Sequence, residues 1–272
     1  MDILQSFLLG LIQGLTEFLP ISSSGHLALG RYFLGADTEV GITFEVVVHF
    51  GTLCSIVIYY KTELANLIKA GFGFLASPST KKDDPDVRVI LFILVSMIPA
   101  MIIGFTMEDQ IEDLISNPVV VCGLLIVTGL ILFLTKFAKS SSGDVTFGKS
   151  ILIGIAQAFA ILPGISRSGS TISMALYLGI SRENAANFSF LMVIPVIGGA
   201  MLLKTVEVVE VYVATGALEI GIASLIVGFL TSFISGYYAL KYLIIILKKK
   251  GFHYFAYYCW IVGAVGLVYF LV

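Results

Sequence analysis

The sequence predicts an all-α polytopic membrane protein with six transmembrane helices and two re-entrant helical hairpins, arranged as an inverted-topology repeat. Three observations carry that expectation. Hydrophobic residues make up 58% of the chain and charged residues 12%, against roughly 25% charged in a soluble domain. Mean hydropathy is +1.00, and several apolar runs reach the ~20 residues needed to cross a bilayer core. A polar stretch in the first half, buried in oily sequence, also returns 144 residues later.

Taken in order, residues 3–19 are apolar and are broken by Pro20 and the serines that follow, and 27–34 are apolar again. Neither run is long enough to cross, so the pair reads as a re-entrant hairpin, allowed where protein or water satisfies the open backbone. Residues 42–60 read as a full span, followed by a polar loop from Lys61. Two further spans, 87–105 and 119–137, flank an acidic turn at 107–117, and 139–149 is a Ser/Gly linker. The pattern then restarts, with a hairpin at 151–180 and spans near 186–203, 220–242 and 254–272.

The restart keeps register without a gap. Gln13 and Gln157 lie 144 apart, as do Ser22 and Ser166, Ser24 and Ser168, Gly25 and Gly169, Gly35 and Gly179, and Phe44 and Phe188. The chain therefore reads as one membrane domain, 1–272, with a first repeat at 1–137 (hairpin 3–34) and a second at 148–272 (hairpin 151–180). Three crossings per half force the halves to be mutually inverted, with a site expected at the broken helices near the midplane. Lys61, Lys69, Lys81, Lys82 and Arg88, then Lys139 and Lys149, then Lys241 and Lys248 to Lys250 fall in alternate connections. Positive-inside places those connections in the cytoplasm and both termini outside. The two hairpins then enter from opposite faces, and their tips should meet.

The net charge of −2 says little about partners, and no basic block suggests nucleic acid. Cys54, Cys122 and Cys259 sit singly in apolar runs and read as packing residues. Met1-Asp2 lacks a basic n-region, so the first apolar run is expected to stay in the mature protein.

The chemistry concentrates at the tips. Gln13 and Glu17 share a helix face at i and i+4, and a carboxylate in mid-run costs several kcal/mol unless it is paired or ligates a cation. Ser22, Ser23, Ser24 and Gly25 follow Pro20 and open a half-helix, whose free amides and dipole favour an anion. Gly164, Ser166, Arg167, Ser168, Gly169 and Thr171 repeat that design, and Arg167 can grip phosphate oxygens bidentately. Capping alone is the plainer reading of the serines. His26, one turn past Ser23, can take or give a proton. Glu17 and the Gln13 carbonyl suit a hard divalent cation, Mg²⁺ or Ca²⁺. Glu45 reads as support for the first hairpin, His49 divides evenly between packing and function, and His253 is interfacial. Tyr254 to Trp260 suit an aromatic belt. The nucleophile stays open among Ser23 with His26 as base, His26 itself, and water.

At these residues the chain resembles the BacA-type undecaprenyl-diphosphate phosphatase family. The shared motifs are Gln13-Gly-Leu-Thr-Glu17, Pro20-Ile-Ser-Ser-Ser-Gly-His26 and Pro163-Gly-Ile-Ser-Arg-Ser-Gly-Ser-Thr171, and the likeness spans essentially the whole chain. It implies hydrolysis of undecaprenyl diphosphate to the monophosphate and inorganic phosphate, lipid-carrier recycling for peptidoglycan synthesis, and bacitracin resistance. It further implies an essential set of Glu17, Ser23, His26 and Arg167, a site opening to the outer face of the bacterial cytoplasmic membrane, and the lipid substrate and bilayer as partners. A homodimer is a further partner expectation. The first motif position, often glutamate in that family, is Gln13 here, which weakens a two-carboxylate metal site. Inverted repeats with opposed hairpins also mark transporters, so a lipid-phosphate flippase or anion transporter is the competing class. A scaffold role ranks last because it leaves Glu17 and Arg167 unexplained.

Overall fold

A computed structural model describes residues 1–36, 42–81, 83–139, 142–216, 220–249 and 251–272. Among the described residues thirteen α-helices follow one another: α1 (Ile3–Phe18), α2 (Ser23–Leu34), α3 (Ile42–Tyr59), α4 (Lys61–Ala76), α5 (Pro78–Lys81), α6 (Pro85–Thr106), α7 (Glu108–Ile115), α8 (Pro118–Leu134), α9 (Phe147–Phe159), α10 (Arg167–Tyr177), α11 (Arg182–Thr215), α12 (Ile222–Lys248) and α13 (Phe255–Leu271). Among the described residues no strand forms; one isolated parallel bridge joins Gly143 to Ile180. Of the helices among the described residues, five are long and apolar enough to cross a membrane, six if α3 and α4 count as one bent span. The chain is an all-α polytopic membrane protein.

Two helix–break–helix units, α1–α2 and α9–α10, occupy the places read as hairpins. Asp2 caps α1, accepting from the Gln5 amide at 2.7 Å while the Gln5 side chain accepts from the Asp2 amide at 2.9 Å. Gly35 and Gly179, the matched pair of the sequence repeat, have φ of 62° and 74° and end α2 and α10. Only glycine takes that conformation without a steric penalty.

Several elements differ from the sequence expectation. The stretch from Lys61 is a helix, bent by 82° from α3, rather than a loop. Its exposed Ile68, Phe72 and Leu75 make it amphipathic, as expected of a helix lying in the membrane interface. Tyr60, buried at the bend, donates from its hydroxyl to Asn187 Oδ1 at 3.2 Å and fixes the break against α11. The acidic turn contains α7, and α11 continues to Thr215 rather than ending near 203. Lys82 and Lys250 of the topology argument lie outside the described residues, as do 140–141 of the linker.

Helices meet where side chains are small. A Cβ at Gly10 would lie 2.7 Å from the Gly228 carbonyl oxygen, and one at Gly14 would lie 2.5 Å from that of Ser232. In lipid, with no hydrophobic drive between helices, close backbone approach supplies the packing energy. The pairing crosses the halves: α1 lies on α12, while α9 lies on α6, with Gly154 against Ser96. α8 and α13 also pack together, Trp260 donating to the Ile126 carbonyl at 3.1 Å. The outer faces carry exposed Leu, Ile, Val and Phe, as a lipid-facing surface should.

Overpacking one crossing tests this scaffold. Gly14→Leu should cost about 1–3 kcal/mol and lower the detergent melting temperature by several degrees. Gly148→Leu, at a position with open space around it, should leave melting unchanged.

Candidate functional site

The first tip forms because α1 runs out at Phe18 and Pro20 cannot continue it. Ser22 then caps α2, its hydroxyl accepting from the Gly25 amide at 3.3 Å and lying 3.3 Å from Ser24 Oγ. Ser22 has φ 70°, and among the described residues it alone is a non-glycine with positive φ. Such a conformation costs about 1–3 kcal/mol and collects at functional sites. Ser22 is buried, Ser23 partly buried and Ser24 exposed.

The second tip repeats the arrangement. Ser166 caps α10, accepting from the Gly169 amide at 3.0 Å and lying 3.3 Å from Ser168 Oγ. Both caps therefore do what the plainer reading expected, and each still leaves first-turn amides directed at the tip. Thr171 donates to the Arg167 carbonyl at 2.9 Å and tightens its own helix turn. Gly164 has φ 98°, and a Cβ there would lie 2.5 Å from the Val121 carbonyl oxygen, so this position needs glycine twice over. Thr128 on α8 pins the bend by donating to the Gly164 carbonyl at 2.7 Å and accepting from the Ser166 amide at 3.0 Å. Nothing in the sequence marks this lone threonine in an apolar run.

The tips meet. A Cβ at Gly25 would lie 3.2 Å from Gly164 Cα, and one at Gly169 would lie 3.3 Å from the Pro20 carbonyl oxygen. Ser168 donates to the Leu19 carbonyl at 3.3 Å. Across this junction Arg167 pairs with Glu17, whose side chain is 4% exposed. Glu17 Oε2 also accepts from Gln13 Nε2 at 3.0 Å and Ser23 Oγ at 2.6 Å. Three of the four expected essential residues thus form one chain, Arg167–Glu17–Ser23. Buried and without a hydrogen-bond partner beside it are Arg167 Nη1 and Gln13 Oε1. Both amide atoms of Gln157, the repeat partner of Gln13, are also buried and unpartnered.

His26 completes the first tip but turns away from Ser23. Its Nδ1 lies 2.8 Å from the Ser22 carbonyl oxygen and its Nε2 2.9 Å from the Tyr258 hydroxyl. Ser23 instead donates to Glu17. His49 on α3 lies within electrostatic range of Glu17 and Arg167, joining the surroundings of the site. Glu45 of α3 pairs with Arg31 of α2. The sequence did not single out Arg31, Thr128 or Tyr258 for the site.

For a cation, the donor set is the Glu17 carboxylate and the unpartnered Gln13 Oε1, one helical turn apart. Among the described residues no group of three or more His, Cys, Asp or Glu side chains could hold a metal. One carboxylate with an amide oxygen fits Mg²⁺ or Ca²⁺ where a bound phosphate supplies further oxygens.

The model of the family described as Bacitracin resistance protein BacA matches residues 6–265. A protein named undecaprenyl-diphosphatase from Salinibacter ruber is 40% identical over 268 residues, covering 97% of each chain. Another of that name from Bacteroides fragilis is 40% identical over 270 residues, covering 98% of each. A third, from Rubrobacter xylanophilus, is 41% identical over 265 residues, covering 95% of this chain and 94% of its own.

Thr128→Val keeps the shape but strips both tip hydrogen bonds, leaving a buried N–H and C=O unmet at about 1–3 kcal/mol each. Amide hydrogen exchange across residues 163–170 should accelerate in Thr128→Val and stay near the parent rate in Thr128→Ser.

Proposed function

The chain belongs to the bacitracin resistance protein BacA family, and on that premise we propose that it hydrolyses undecaprenyl diphosphate to undecaprenyl phosphate and inorganic phosphate. The observation that carries the reading is the buried Arg167–Glu17–Ser23 chain between two capped helix N-termini, with Arg167 Nη1 unpartnered beside it. A diphosphate supplies the anionic oxygens that such a guanidinium and open amides prefer.

Binding changes the state of the site. The headgroup competes with Glu17 for Arg167 and frees the carboxylate oxygen that Arg167 held. Glu17 already accepts the Ser23 proton's hydrogen bond. Ser23 Oγ then attacks the terminal phosphorus and its proton passes to Glu17. The bond to the bridging oxygen breaks, leaving undecaprenyl phosphate, and water hydrolyses the phosphoserine to inorganic phosphate. Arg167 and the first-turn amides of α2 and α10 hold the charge that builds on the transferred phosphoryl group. His26 Nε2 is the nitrogen able to move a proton to or from the bridging oxygen or the incoming water. A divalent cation held by Glu17 and Gln13 would supply further charge neutralisation of the phosphates when bound.

The same reading extends to architecture and place. The offset of 144, the matched caps and the crossed packing of α1 on α12 and α9 on α6 support an inverted repeat of residues 1–137 and 148–272. The lysine pattern supports cytoplasmic loops around Lys61–Arg88 and Lys139–Lys149, and membership of the family supports a cytoplasmic-membrane location with a site opening outward.

Purified protein in detergent should release phosphate from a polyprenyl diphosphate, with EDTA lowering the rate. Arg167→Ala should reduce turnover by about 10²–10³-fold, as removal of transition-state charge stabilisation does, while Cys54→Ala stays near parent. Release no faster than the protein-free rate would favour a carrier that cleaves nothing.

A further inference from the structure

The sequence places Tyr258 in an aromatic belt, yet the structure stacks it on the tip of the first hairpin. Its ring lies 5.5 Å from that of His26, centroid to centroid, with 14° between planes. Its hydroxyl oxygen is 2.9 Å from His26 Nε2. The other ring nitrogen, Nδ1, faces the Ser22 carbonyl at 2.8 Å. A carbonyl only accepts, so Nδ1 carries a proton and, in the neutral ring, Nε2 carries the lone pair. Tyr258 then donates to that lone pair. The adjacent Cys259 Sγ reaches the Pro20 carbonyl oxygen at 3.9 Å, so consecutive residues of α13 hold two points of one tip. Tyr258 comes from the last helix of the chain, 232 positions away from His26.

We infer that Tyr258 is a positioning residue of the phosphatase site. Its ring fixes the plane of the His26 imidazole, and its hydroxyl keeps Nε2 as the basic nitrogen, presented where the tip meets the headgroup. The inference rests on the reading of His26 as the proton-moving group. An interfacial tyrosine would need neither the parallel stacking nor the hydrogen bond, since its ring would lie among lipid headgroups. Tyr258 is 43% exposed, so the pair also lies at the rim of the site rather than in its floor. There the hydroxyl can yield the Nε2 lone pair to the proton of an incoming water and retake it after release.

The test is a cycle of kcat and KM for polyprenyl diphosphate hydrolysis with Tyr258→Phe, Tyr258→Leu, His26→Gln and the His26→Gln/Tyr258→Phe double variant. Tyr258→Phe keeps the stacked ring and should lower kcat about tenfold, the effect of one hydrogen bond, with KM within about twofold of parent. Tyr258→Leu, which loses the ring as well, should fall further. In the His26→Gln background, Tyr258→Phe should change the residual rate no further. Parent-level kcat in Tyr258→Phe, or the same fold loss with and without His26, overturns the inference while leaving the role of His26 standing. Parent-level turnover in His26→Gln overturns the reading beneath it, and this role for Tyr258 with it. Melting temperatures of Tyr258→Phe and parent should agree; a large drop would assign the residue to structure alone.

Discussion

A charged pair buried at the junction of two helix breaks is the constraint on which the rest depends. Glu17 and Arg167 belong to different halves of the chain, and each alone would carry a desolvation penalty of several kcal/mol per ion. Together, with Gln13 and Ser23 also donating to the carboxylate, the charge is met on every side that the first tip can reach. The pair exists only if both tips arrive at the same place. The chain must therefore break α1–α2 and α9–α10 at matching heights and hold the breaks in contact.

The helices serve that requirement. Gly164 permits a bend that no other residue fits, Thr128 anchors it to α8, and Ser168 ties it to the first tip. Further out, small residues let α1 approach α12 and α9 approach α6, so each broken unit is seated against the other half. Positional accuracy in a pocket comes from such supporting contacts more than from the reacting residues. The strained Ser22 has its relaxed counterpart in Ser166, with φ −76°. Strain falls on the tip that carries Ser23 and His26, where catalytic geometry is most demanding.

Much of this was legible in the sequence, and the failures have physical causes. The breaks showed because proline, serine and glycine interrupt apolar runs, and the meeting of the tips followed from the repeat. Helix α4 was hidden because Lys61, Glu63 and Lys69 look like loop charges; its apolar Ile68, Phe72 and Leu75 make sense once the helix lies along the interface. The extension of α11 was obscured by Lys204, Glu207 and Glu210, which a helix continuing beyond the hydrocarbon tolerates. Thr128 and Tyr258 act across long sequence separations, and no local pattern reports such a contact. The spacing of Ser23 and His26 left open which group meets the serine hydroxyl. The fold turns it toward Glu17, because the reverse turn at Pro20 brings the end of α1 back beside the start of α2.

The central claim concerns a coupling between two residues, and a stability cycle measures it most directly. Thermal unfolding in detergent would compare Glu17→Gln, Arg167→Gln and the double variant with the parent. Removing one partner strands the other as an unpaired buried charge, at about 3–5 kcal/mol, so each single variant should melt well below parent. The double variant should recover much of that loss and melt above either single. Additive losses, with the double variant the least stable of all, would contradict a structure closed by this pair.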